Sequence, residues 1–161
     1  MTEISTRDVP ALRVVTEVRV VDQQQLMEWL PGAMARVGDA PGGLDAASQP
    51  WLGRDTGDPV FVVVYEGNPN EAPCEVVVGR PVAEGGDREL PAHHEAFARV
   101  RKATVLSGGL GEVYEGIEKW AGDQGLTVLG PPREVYWTDF GAASEDDVVF
   151  DVAWPVAQHN A

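Results

Sequence analysis

The residues best suited to chemistry lie near the C-terminus, in the run Arg133-Glu-Val-Tyr-Trp-Thr138 and in Val148-Val-Phe-Asp-Val-Ala-Trp154. Both read as strands, and successive strand side chains point to opposite faces. Glu134, Tyr136 and Thr138 then share one face and Val135 and Trp137 the other, while Asp151 is separated from Phe150, Val152 and Trp154. If Trp137 and Trp154 pack beneath helices, Glu134, Tyr136 and Asp151 project together into a groove as acidic and phenolic groups among aromatics. A carboxylate about 4 Å from a cation gains roughly 4 kcal/mol at an effective dielectric near 20, before desolvation, and aromatic faces add about 0.5–2 kcal/mol. Such a groove selects cations. The plain alternative is that Glu134 and Asp151 face solvent and Tyr136 packs across strands, and spacing alone does not separate the two.

Other candidates are weaker. His93-His94-Glu95 invites a metal or acid–base reading, but neighbouring strand residues face opposite ways, so the two imidazoles do not converge on one ion. His159 falls in the terminal tail and is not expected to act. Ser107-Gly-Gly-Leu-Gly111 has no lysine of a phosphate loop and reads as a turn. Cys74 has no cationic sequence neighbour that would activate its thiol, and as the single cysteine it excludes an internal disulfide or a multi-cysteine metal site. No metal and no cofactor are expected. Trp29, Trp120, Trp137 and Trp154 fall at core spacing, whereas Trp51, in a Pro/Gly-rich stretch, either anchors that loop or walls a pocket.

The elements that must position these groups follow from periodicity. Residues 11–21 are β-branched with polar interruptions, a half-buried strand. Leu26, Met27, Leu30, Met34 and Val37 recur at spacings of three and four, an amphipathic helix over 24–37 with Asp22 as N-cap; Pro31 predicts a kink or an early end. Residues 38–58 form a long loop, a candidate lid. Val60-Phe-Val-Val-Val-Tyr65 and Cys74-Glu-Val-Val-Val78 make a hairpin across Gly67-Asn-Pro-Asn70. The order then repeats, with a strand at 93–101, a helix near 111–123 carrying Val113, Ile117 and Trp120, and a second hairpin from 133–138 to 148–154. Gly67 precedes Pro81-Val82 by the same interval as Gly141 precedes Pro155-Val156, so both hairpins have one length. The expected fold is α+β: duplicated strand-helix-strand-strand units, about 11–82 and 88–156 within one domain over 1–161, forming an antiparallel sheet with both helices on one face and a ligand cleft between pseudo-twofold halves.

Composition bounds the partners. The chain has 161 residues, 43% hydrophobic content and five tryptophans, which suits a folded domain. Its net charge of −14, from 26 acidic against 12 basic residues, repels phosphate backbones and anionic membrane surfaces and attracts cations, so direct nucleic-acid binding is not expected. Met1–Asp8 lacks the basic start and apolar core of a signal peptide, and no stretch approaches the ~18 apolar residues of a span. A cytoplasmic protein with no membrane partner is the expectation.

Gly130-Pro-Pro-Arg-Glu-Val-Tyr-Trp-Thr-Asp139 followed by Val148-Val-Phe-Asp-Val-Ala-Trp-Pro-Val156 resembles the C-terminal signature of the GyrI-like small-molecule-binding superfamily. Val76-Val-Val-Gly-Arg-Pro-Val82 resembles the matching end of the first repeat, and Leu90-Pro-Ala92 and the Tyr114-to-Trp120 helix leading into Gly125-Leu126 also fit, so the resemblance covers about 11–156. Members include effector domains of multidrug-responsive regulators, gyrase-inhibitory proteins and hydrolases of cyclopropane-bearing natural products. The resemblance implies a cleft between the halves faced by Glu134 and Tyr136. Regulators of this kind carry a DNA-binding segment, and none is read before residue 11, so a stand-alone member is expected. Asp151 stands where many relatives have glutamate, a longer carboxylate that reaches further.

Three functions follow. In the first, the protein binds apolar aromatic, cationic molecules, to sequester or sense them, with Tyr65, Trp51, Tyr136 and Trp137 supplying contact and Glu134, with Asp151, supplying charge. In the second, the same cleft hydrolyses strained electrophiles, Glu134 activating water and Tyr136 hydrogen-bonding the oxygen that gains charge. In the third, the acidic surface mimics DNA toward a protein partner such as gyrase; no motif indicates that partner.

Overall fold

The computed structural model describes residues 3–54 and 56–158, and His159 therefore lies outside the described residues. The chain is α+β. Its elements run β1 (Ile4–Val9), β2 (Leu12–Val21), α1 (Gln23–Gly38), β3 (Phe61–Tyr65), β4 (Cys74–Pro81), β5 (Arg88–Leu90), β6 (His93–Arg101), α2 (Lys102–Leu106), α3 (Leu110–Asp123), β7 (Leu126–Val128), β8 (Arg133–Tyr136) and β9 (Val148–Gln158). One antiparallel sheet takes the order β1-β6-β9-β8-β3-β4-β2-β5, with β7 paired to the far end of β9. The two expected units appear as β6-β9-β8 and β2-β4-β3, joined where β3 pairs with β8. Each unit lends its leading strand to the other: β1 pairs with β6, and β5 with β2.

Local chemistry accounts for the helices. Asp22 caps α1 as expected, its Oδ1 accepting from the Gln25 amide at 2.8 Å while the Gln25 side chain accepts from the Asp22 amide at 2.9 Å. Pro31 does not end the helix, which continues to Gly38. Pro31 and Met27, whose carbonyl would have received the missing amide bond, both lie on the exposed face, where the loss of that bond costs less than in the core. α3 follows the Ser107–Gly109 turn, where Gly108 adopts a positive φ of 79°.

Three apolar clusters hold the sheet. On one face α1 packs Leu26, Trp29, Ala33 and Val37 over Val63, Tyr65, Val76 and Val78, and α3 packs Val113, Ile117 and Ala121 over Ala96, Ala98, Phe150 and Val152. The second face carries Val62, Val64, Val135 and Trp137 and is covered not by a helix but by the long loop, whose Ala46 and Leu52 are buried in it. That loop is built of two 3-10 turns, Ala46–Ser48 and Pro50–Leu52. It is fixed by Arg80, which donates to Leu44 O and to Val60 O, and by Arg99, which donates to Leu52 O at 2.8 Å. Among the described residues no helix is long and apolar enough to cross a membrane.

Candidate functional site

Glu134 sits at the centre of the sheet because β8 lies between β3 and β9; its ladder neighbours are Val63 and Val152, both buried. It faces the helix side and is only 4% exposed. All three tyrosines of the chain converge on its carboxylate. The Tyr65 and Tyr136 hydroxyls donate to Oε1 at 3.0 and 2.6 Å, and the Tyr114 hydroxyl donates to Oε2 at 2.6 Å. Tyr136 belongs to both helix-side clusters, so this carboxylate lies where the two units meet. Aromatic rings surround it further: Phe150 stacks on Tyr136 at 4.7 Å, and Trp154 meets Tyr114 edge-on at 6.3 Å.

The electrostatics follow from burial. Desolvation raises the Glu134 carboxyl above its ordinary range, against hydrogen bonds from Tyr114, Tyr136 and Tyr65 that favour the anion. The three phenols are pushed well above their usual range, by burial first and then by the neighbouring negative charge. They are neutral donors throughout the physiological range.

Asp151, Trp51 and Trp137 are elsewhere. Asp151 pairs with Val135 and Arg99 and so faces the loop side, not the face of Glu134 and Tyr136. The expectation that Trp137 packs beneath a helix, releasing Asp151 into the same groove as Glu134, is corrected: Trp137 is buried under the loop. The fully buried Asp151 binds Arg7 at 2.9 Å and lies 3.9 Å from Arg99. Burial still raises its carboxyl above the ordinary range, the two arginines opposing. Arg7 also holds Glu95 at 2.9 Å, and His93 contacts the other Glu95 oxygen at 2.6 Å. For Glu95 burial is outweighed by His93 and Arg7, and its carboxyl falls below the ordinary range. Trp51 packs against the loop-side cluster with the Arg7 guanidinium 5.1 Å from its ring. His94 points away from His93 and meets Asp8 at 2.7 Å.

Two residues of this arrangement went unread in the sequence. Tyr114 stands three positions before Ile117 and seven before Ala121, on the buried stripe of α3, a spacing that could have identified it. Arg7 lies in β1, whose Ile-Ser-Thr-Arg-Asp-Val run carries too few apolar residues to announce a strand.

The fold is found in known structures. The chain matches the crystal structure of the EcmrR C-terminal domain with a TM-score of 0.72 at 14% identity, covering 98% of this chain and 99% of that one. It matches EcmrR in its complex with DNA with a TM-score of 0.73 at 14% identity, where it spans 58% of the longer protein. A protein of Staphylococcus aureus MU50 described under bacterial transcription regulation aligns with a TM-score of 0.54 at 14% identity, over 97% of this chain and 99% of that chain. No family model and no curated protein matches the sequence.

Proposed function

We propose that this chain is a small-molecule-binding domain of the effector type, whose ligand is an amphipathic aromatic cation held at Glu134. The observation that carries the reading is a difference among three buried carboxylates. Glu95 and Asp151 each have Arg7 as a counter-ion, whereas Glu134 has three neutral hydroxyls and, among the described residues, no cation within 4 Å. A cation reaching Glu134 exchanges phenol hydrogen bonds for a charge pair while keeping Tyr136, Phe150 and Trp154 as aromatic neighbours. The GyrI-like resemblance and the fold shared with the EcmrR C-terminal domain support sequestration or sensing as the use of such a site.

The test is a titration with rhodamine 6G, followed by dye anisotropy, against a neutral dye of the same shape. Glu134→Gln is expected to weaken the cation by about tenfold or more and the neutral dye by less than about threefold. Equal losses for both dyes, or no saturable binding of the cation, refutes the assignment.

A second reading, hydrolysis of a strained electrophile, is favoured by one observation: the raised Glu134 carboxyl is a stronger base than an exposed glutamate, with the Tyr136 hydroxyl 2.6 Å away as a donor. The water oxygen would bond to a strained ring carbon as a ring C–C bond breaks; Glu134 would take the water proton, the conjugated oxygen that receives the released electron pair would take a proton from Tyr136, and Glu134 would return its proton to Tyr136 across their 2.6 Å hydrogen bond, so that one water adds overall. Mass spectrometry of a cyclopropane-bearing alkylating compound after incubation separates the readings: addition of one water, absent with Glu134→Gln, marks turnover.

A further inference from the structure

The outer edge of β2 is closed over its first residues and open over the rest. β5 pairs with Leu12–Val14 only, and the Asp87 carboxylate takes the Thr16 amide at 2.8 Å. Beyond Thr16, among the described residues, no strand or side chain pairs with this edge until Asp22, whose amide donates to Gln25 Oε1 at 2.9 Å. Odd-numbered residues of β2 turn their amides and carbonyls to β4, as the bond from Val82 N to Arg13 O shows. Even-numbered ones turn outward, as the bonds at Val14 O and Thr16 N show. The open stretch therefore offers the amides and carbonyls of Val18 and Val20.

The side chains repeat the pattern. Val18 and Val20 are 41% and 61% exposed, two of the five exposed large apolar side chains among the described residues, and both stand on the loop side, Val18 beside the buried Val77. Soluble proteins blunt such edges with charge, proline or a bulge. Here the register with β4 runs unbroken to Val21, and Arg19, between the two valines, points to the other face with Glu17.

We propose that this edge binds a second copy of the chain, β2 pairing antiparallel with the partner's β2 so that Val18 stands opposite the partner's Val20. The free groups set the register: a shift of two residues either way would place a valine opposite Thr16 or Asp22, whose amides are already bonded. In the remaining register four hydrogen bonds form about a twofold axis, and the four valines meet as two cross-strand pairs on the loop side. On the helix side the two Arg19 residues face each other at the axis. Each has the partner's Glu17 as its diagonal neighbour, within reach of an arginine, which offsets the like-charge contact. Glu17 holds Arg36 and its side chain is still 28% exposed. Two residues per copy bury less than the roughly 1,200 Å² of a stable interface, so the dimer is reversible. The surface lies three strands from Glu134 on β8 and is independent of the cation site.

Sedimentation equilibrium of the full chain at neutral pH, up to about 1 mM, reads the association, and a reversible dimer with a Kd of roughly 10–500 µM is expected. Val20→Pro removes an outward amide and no bond within the chain. It is expected to weaken the dimer by about tenfold or more with an unchanged circular-dichroism spectrum. Val18→Lys places a charge on the same edge, is expected to have the same effect, and serves if Val20→Pro does not fold. The register is read in a Cys74→Ala background, where the introduced thiol is the only one. Arg19→Cys is expected to cross-link under mild oxidation, because residues opposite each other in a non-hydrogen-bonded pair stand about 4.5 Å apart at Cα, and Val18→Cys to cross-link at least about tenfold more slowly. The proposal is overturned by a chain that stays monomeric at about 1 mM, by a dimer that survives either edge variant, or by Val18→Cys cross-linking as fast as Arg19→Cys.

Discussion

The Tyr114 hydroxyl of α3 lies 2.6 Å from Oε2 of Glu134 on β8, and it is the only tyrosine on that oxygen, since Tyr65 and Tyr136 both donate to Oε1. Removing it leaves a buried carboxylate oxygen without its phenol donor. Tyr114→Phe is therefore expected to cost about 1–3 kcal/mol in urea unfolding at neutral pH, and more than Tyr65→Phe, which leaves Oε1 the shorter bond from Tyr136. Equal costs would show that the two oxygens are not served separately.

The Glu134 carboxyl titrates above its ordinary value of 4.5 in the folded chain, because burial disfavours its charged form. A carboxyl whose folded pKa exceeds its unfolded one binds protons more tightly when folded. Its contribution to stability is complete below the unfolded pKa and is lost as pH rises through the folded one. The stability of Glu134→Gln relative to the parent is thus expected to increase from about pH 4 toward pH 8, read from urea midpoints at several pH values. A constant difference across that range contradicts the raised pKa.

Alternation along β8 and β9 was enough to separate Glu134 and Tyr136 from Val135 and Trp137, and Asp151 from Phe150, and the structure keeps each separation. A period of two does not say which side a helix will cover, nor which set on one strand joins which set on the next. Asp151 ended on the loop side because it is in register with Val135 rather than Glu134, and alternation along one strand does not fix its register with the next. The long loop was legible as a loop, but its role as the cover of a sheet face depends on Arg80 and Arg99, whose backbone partners are distant in sequence. The exchange of β1 and β5 between the units was not legible either, since both strands are short and polar.

Arg7 carries two buried carboxylates at 2.9 Å each, Glu95 at 1% and Asp151 at 0% side-chain exposure. Arg7→Met leaves both without that cation and is expected to cost about 3–5 kcal/mol, the scale for breaking a buried ion pair from one side. Adding Glu95→Gln and Asp151→Asn to the same chain removes the stranded charges and is expected to recover most of the loss in thermal denaturation. No recovery would mean that Arg7 acts through its packing on Phe97, 3.8 Å from the ring, rather than through charge.

The corner that delivers β5 to the edge of β2 turns on Gly85 and Gly86, with φ of 79° and 81°. Both would strain an alanine, but they differ in surroundings: a Cβ on Gly86 would stand 2.5 Å from the Val14 carbonyl oxygen, whereas none is met within 4 Å of one on Gly85. That carbonyl accepts from the Asp87 amide at 3.0 Å, and the Asp87 carboxylate in turn accepts from the Thr16 amide and hydroxyl, so the corner has little room to move. Gly85→Ala is expected to cost about 1 kcal/mol from backbone strain alone, and Gly86→Ala about 2 kcal/mol or more because the clash is with backbone. Chemical denaturation of the two variants measures the difference. Equal costs would mean that β5 yields at this edge, and Leu90, which pairs with Leu12, with it.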